Sequence, residues 1–161
     1  MCKYHIPTIG DHLHIYTFAH LHISHITMHY ITHIQRAPSR HMSVITTSPD
    51  TLQAHQDSLI PWADLCTIGL ASLETTDEIT NGIRIYTTKL TFATPQPLPP
   101  DSEPHAYRLT LTDGTHLLLG LQQPPHPLRT TTNTREDKPT GKSTITHTIT
   151  WTSTHQPMQL F

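Results

Sequence analysis

Apolar and polar residues alternate along much of this chain, and the alternation predicts strands. In the clearest run, Ser143 to Ser153, Ile145, His147, Ile149 and Trp151 oppose Thr144, Thr146, Thr148, Thr150 and Thr152. Side chains two apart share a face of a strand, so one face here is largely apolar and the other is threonine. Ile83 to Phe92 is a second such run. Its apolar side switches between Ile85 and Leu90, which predicts a bulge near Thr87 and Thr88. Leu65 to Leu73 is apolar on both sides, the pattern of a strand covered on both faces.

Turn chemistry then sets register. Asn81-Gly82 closes the acidic stretch Glu74 to Gly82 and predicts a tight two-residue turn into the next strand, because both residues tolerate positive φ. In Ala106 to Leu121 two turns compete. A two-residue loop at Asp113-Gly114 would put Leu117 and Leu119 on the face opposite Leu109 and Leu111. A three-residue loop, Thr112-Asp113-Gly114 with Gly114 left-handed, sets Leu109 against Leu117 and Tyr107 against Leu119. The second gathers the large apolar groups on one face and is the expectation.

Between the runs lie breaks. Pro95, Pro97, Pro99, Pro100 and Pro104 mark a stiff connection, Gln122 to Pro127 a second one, and Arg129 to Lys142 a long polar loop. Met42 to Pro61 reads as an extended arm or short edge strand pinned by Leu59, Ile60 and Trp62, and Pro157 to Phe161 is apolar enough to dock. The expected fold is all-β: one antiparallel β-sandwich or barrel-like domain over 42–161 with Pro-rich loops, preceded by a histidine-rich N-terminal extension over 1–41.

That extension holds nine of the fifteen histidines. From His12 to Ile23 it alternates as a strand does. His22, His25, His29 and His33 are spaced by three, four and four, which on a helix would stack imidazoles as a ligand set for Zn or Ni. The surrounding Ile, Thr, Tyr and Ser are poor helix formers and favour the strand. Three expectations follow: a metal-binding or pH-sensing module; an appendage outside the native chain, Met42-Ser43-Val44 being a natural start; or a strand donated to the sheet edge of another copy.

Charge narrows the function classes. The formal net charge is -2, and from Met42 onward seven basic residues face eleven acidic ones, a balance of -4. An acidic body argues against nucleic-acid binding, which needs a Lys/Arg footprint. No uninterrupted apolar stretch reaches membrane-helix length and the N-terminus lacks a signal-peptide pattern, so the chain is expected to be soluble and cytoplasmic when made. Cys2 and Cys66 make no disulfide framework, and Cys66 is expected as a buried small hydrophobe. Thr140-Gly141-Lys142-Ser143-Thr144 resembles the end of a phosphate loop, but Glu136 occupies the place of its first glycine and a strand pattern follows. No nucleophile elbow or paired-carboxylate signature is present, and no enzyme activity or cofactor is expected. His147 is expected as a hydrogen-bonded, half-buried histidine.

Ile83-Arg84-Ile85-Tyr86-Thr87-Thr88-Lys89-Leu90-Thr91-Phe92, with Tyr107-Arg108-Leu109-Thr110, Leu118-Leu119-Gly120 and Ile149-Thr150-Trp151-Thr152, resembles small all-β proteins carried by prophages and mobile elements of gut bacteria. The resemblance runs from about Met42 and rests on strand patterning. It implies a virion-associated role, in tail or neck, and carries over no catalytic residue. The leading expectation is thus a non-enzymatic β-domain that assembles with copies of itself or another structural protein through a Thr-rich face or edge. The alternatives are the histidine module, and a sugar-binding β-sandwich with Trp62, Tyr86 or Trp151 as stacking platform.

Overall fold

The computed structural model describes residues 26–48, 51–56, 60–135 and 143–160. They form eleven strands and one 3₁₀ turn. In chain order the strands are β1 (Ile26–Pro38), β2 (Met42–Ser48), β3 (Thr51–Gln56), β4 (Ala63–Asp64), β5 (Ala71–Thr80), β6 (Ile83–Thr94), β7 (His105–Leu111), β8 (His116–Leu119), β9 (Leu128–Arg135), β10 (Ser143–Ser153) and β11 (Met158–Leu160). The turn, Ser39–His41, joins β1 to β2. Nine strands make one antiparallel sheet, ordered β11-β8-β7-β1-β5-β6-β10-β9, with β4 paired to β1; β2 and β3 pair separately.

The all-β expectation holds, as do both predicted turns. Asn81 and Gly82 have φ of 52° and 77°. Leu109 pairs with Leu117 and Tyr107 with Leu119, with Gly114 at φ 86°. Ser143–Ser153 is a strand with Ile145, His147, Ile149 and Trp151 buried. Met158 and Leu160 dock on β8 through β11. Ile60 and Trp62 pack against the core, while Leu59 lies outside the described residues.

Four expectations need correction. Leu65 to Leu70 is not strand: Gly69 takes φ 72°, and β5 starts at Ala71. Cys66, on this irregular stretch, is exposed. β6 pairs without a register break along both neighbours; the isoleucines that switch its pattern, Ile83 and Ile85, lie at the hairpin end, where Ile83 is exposed. The polar stretch from Arg129 begins as strand β9, whose threonines pair across to those of β10.

Residues 26–38, within the segment expected as an extension, lie at the centre of the sheet. β1 pairs with β5 through Ile26 to Ile31 and with β7 through Ile31 to Pro38. It buries Ile31, Ile34 and Ala37. Its register breaks between Ile31 and His33, where three steps along β1, Ile31 to Ile34, match two along β7, Leu111 to Leu109. The extra residue is a bulge, and it reverses which face later side chains take.

The sheet's inner face carries the main core, with Ile31, Ile34, Leu73, Leu90, Leu109 and Ile149 each at most 1 % exposed. Part of the outer face is covered too: Ala37, Ala106, Leu118 and Leu160 pack with Met42, Ile60 and Trp62. The sheet is not flat. β8 and β9 are six strand positions apart, roughly 29 Å at about 4.8 Å per strand. Yet Gly120, just after β8, lies against Pro127, just before β9; a Cβ on Gly120 would sit 2.6 Å from Pro127 Cγ. The sheet therefore rolls over its core at this end, bringing distant strands together.

Candidate functional site

Two arrangements stand out once the sheet is rolled, one polar cluster at its inner mouth and one threonine field on its outer face. Both begin with the same alternation, which sends even residues of β10 outward and odd residues inward.

At the mouth, Asp101 on the proline-rich connection joins residues from separate strands. Its Oδ2 receives Arg129 Nε of β9 at 3.1 Å, and its Oδ1 stands 3.4 Å from Arg36 Nη1 of β1 and 3.5 Å from His105 Nδ1. Arg129 also donates through Nη2 to Pro99 O at 2.7 Å. A proline-rich stretch can be held this way because its carbonyls accept although its nitrogens cannot donate. Arg129 is 10 % exposed, and among the described residues its Nη1 has no hydrogen-bond partner, nor have the buried Nδ1 atoms of His105 and His126. Tyr107 lies nearby, its hydroxyl pKa pushed up to about 12 by burial and then by the Asp101 carboxylate.

Beneath this cluster His147 is 1 % exposed, more buried than expected. Its Nε2 lies 3.0 Å from Thr94 Oγ1 and its Nδ1 3.0 Å from Thr131 Oγ1. Thr94 Oγ1 already donates its proton to Gln96 O at 2.6 Å, so it accepts from Nε2–H, leaving Nδ1 to accept from Thr131. The imidazole is thus a fully bonded neutral Nε2–H tautomer. Burial, then the charge of Arg129, holds its pKa below the ordinary histidine value. The ring also packs on Phe92, its cross-strand partner, with centroids 5.3 Å apart. These groups tie β6, β9 and β10 together and match charge to charge.

Of the expected histidine stripe, His29 and His33 are described, and they take opposite faces of the sheet. His22 and His25 lie outside the described residues. His29 pairs with Leu73, an inner-face residue, whereas His33 follows the bulge and pairs with Thr110 on the outer face. Its Nε2 is 3.1 Å from Asp64 Oδ1. Asp64, also hydrogen-bonded by Gln35, has its pKa held down first by that bond and then by the one from His33. Among the described residues no three His, Cys, Asp or Glu side chains converge as metal ligands. Of the proposed sugar platforms, Trp151 is 2 % exposed with Nε1 donating to Pro125 O, and Trp62 is capped by Arg108 at 4.8 Å. Tyr86 faces inward opposite Ser153.

The outer field is regular. Tyr30, Ser72, Thr91, Thr148 and Thr130 are successive cross-strand partners over β1, β5, β6, β10 and β9. One row along, Met28, Glu74, Lys89, Thr150 and Leu128 follow in the same order; beyond them come Ile26, Thr76, Thr87 and Thr152. Thr87 and Thr152 hydroxyls stand 3.5 Å apart, as side chains sharing a face do. Ile26, Met28 and Tyr30 are 62 %, 57 % and 56 % exposed. Each threonine offers a methyl, one donor and two lone pairs. The threonines of β10 were legible from alternation; the continuation of the field into β9 and into the apolar stripe of β1 was not.

Among the described residues no helix is long and apolar enough to cross a membrane. Comparison with protein-family models, curated proteins and solved structures gives no match.

Proposed function

We propose that the chain is a non-enzymatic assembly domain, a barrel-like scaffold whose outer threonine field docks on copies of itself or on another structural protein. The observation that carries this reading is the ordered row Tyr30, Ser72, Thr91, Thr148, Thr130, bordered by an exposed apolar stripe. A sheet face that combines aligned hydroxyls, methyls and uncovered large apolar side chains has the composition of a contact surface. The inner polar cluster serves the scaffold by fastening the proline-rich connection across the roll. A tail or neck position in a virion is the setting implied by the resemblance of the strand pattern to prophage proteins, and it belongs to this proposal alone.

Sedimentation velocity of the full chain and of Thr148→Arg tests it. Thr148 lies mid-field and half-buried, so the variant, checked for folding by circular dichroism, sets a long charged side chain among neutral hydroxyls. Association that grows with concentration and is lost in T148R is expected. Association unchanged in T148R would remove the threonine field from the proposal.

A further inference from the structure

The threonine field is neutral except at its middle row, where Glu74 and Lys89 are direct cross-strand partners on β5 and β6. Lys89 is exposed and Glu74 partly so, and neither makes an ion pair within 4 Å among the described residues. Two opposite charges side by side at the centre of a neutral face are self-complementary under one operation. A two-fold axis lying in the contact plane, running along the strands between β5 and β6, exchanges the two columns and leaves every row at its own level.

We infer that the partner of this face is a second copy of the chain, docked sheet to sheet about that axis, with Lys89 of each copy meeting Glu74 of the other. The inference rests on the assembly reading above and names its partner. The same operation sets β10 of one copy over β1 of the other. Thr148 then meets Tyr30, Thr150 meets Met28 and Thr152 meets Ile26, so threonine methyls cover the three exposed apolar side chains of β1. Two sheets packed this way lie about 10 Å apart, within reach of a lysine and a glutamate extended from facing strands. The roll of the sheet makes the face convex, which confines contact to β5, β6 and their immediate neighbours. Association is accordingly weak, since a contact of a few strands falls below the roughly 800 Å² per partner of a stable complex. The charge row then sets orientation more than affinity.

Mixing Lys89→Glu with Glu74→Lys tests the geometry. Each variant alone sets like charges against each other across the axis, and each is expected to associate roughly tenfold more weakly than wild type, about 1.4 kcal/mol. Mixed in equal amounts, the two restore both opposite-charge contacts, so native mass spectrometry is expected to find the mixed dimer in clear excess over its statistical share. Circular dichroism and melting of each variant alone establish that it is folded. A mixed dimer at its statistical share, from folded variants, overturns the inference. If that occurs while wild type still associates and T148R does not, the assembly reading stands with a different docking geometry. If wild type remains monomeric throughout, self-docking fails and the field's partner must be another protein.

Discussion

Gly120, where the chain leaves β8, packs against Pro127, where it enters β9, at φ 93°, with His105 O 3.2 Å from where its Cβ would be. Only glycine meets both demands. A methyl group would collide with the proline ring, which belongs to the crossing from β8 to β9, and the backbone would be strained besides. Gly120→Ala is expected to cost about 2–4 kcal/mol, from left-handed strain plus overpacking, read by urea unfolding. A loss below roughly 0.5 kcal/mol, the range of ordinary surface changes, would mean that Gly120 and Pro127 are not packed together.

His147 makes stability depend on pH with a definite sign. In the unfolded chain it titrates near pH ~6.5; in the fold its pKa is lowered by burial and by Arg129. The stabilising contribution is therefore complete above that pH. It declines as the pH falls below it, because the unfolded chain then takes up a proton that the folded chain refuses. Wild type is expected to lose its stability advantage over His147→Gln on acidification from neutrality. An NMR titration that puts the His147 ring at or above the ordinary histidine pKa would refute this.

Asp101 holds two guanidinium groups at the mouth of the sheet and raises the pKa of Tyr107. Asp101→Asn is expected to lower the Tyr107 pKa from about 12 and to destabilise the fold by about 1–3 kcal/mol, since it leaves Arg36 and Arg129 without their carboxylate. Alkaline difference absorbance and denaturant titration measure the two effects. A tyrosine pKa that stays put would place Asp101 electrostatically apart from that ring.

β1 makes residues 26–38 part of the fold. Removing residues 1–41 takes out the strand between β5 and β7 together with the buried Ile31 and Ile34. A chain beginning at Met42 is expected to show no cooperative thermal transition. A melt matching that of the full chain would show that the sheet forms without β1.

How far the sequence discloses this fold depends on which signal each element carries. The β7–β8 hairpin is legible because a glycine turn and four large apolar residues agree on one register. β10 is legible because its alternation never slips. β1 is legible as a strand from its residue types but not as the centre of the sheet, because its bulge sets the inward-facing Ile31 and Ile34 three apart and breaks the alternation that marks a buried face. β9 escapes notice since threonine and asparagine fill both its faces, and polarity there reads as loop. The Asp101 cluster draws on β1, β9 and the connection between β6 and β7, a union made by the roll of the sheet and invisible to any local pattern.

The central claim, that the outer threonine field is the contact surface, is tested most directly by methyl NMR of the full chain over a dilution series. Methyl resonances of Thr91, Thr148 and Thr152 are expected to shift with concentration, together with Met28, while Leu109 and Ile149 in the inner core hold still. Concentration-dependent shifts that map elsewhere would contradict the account.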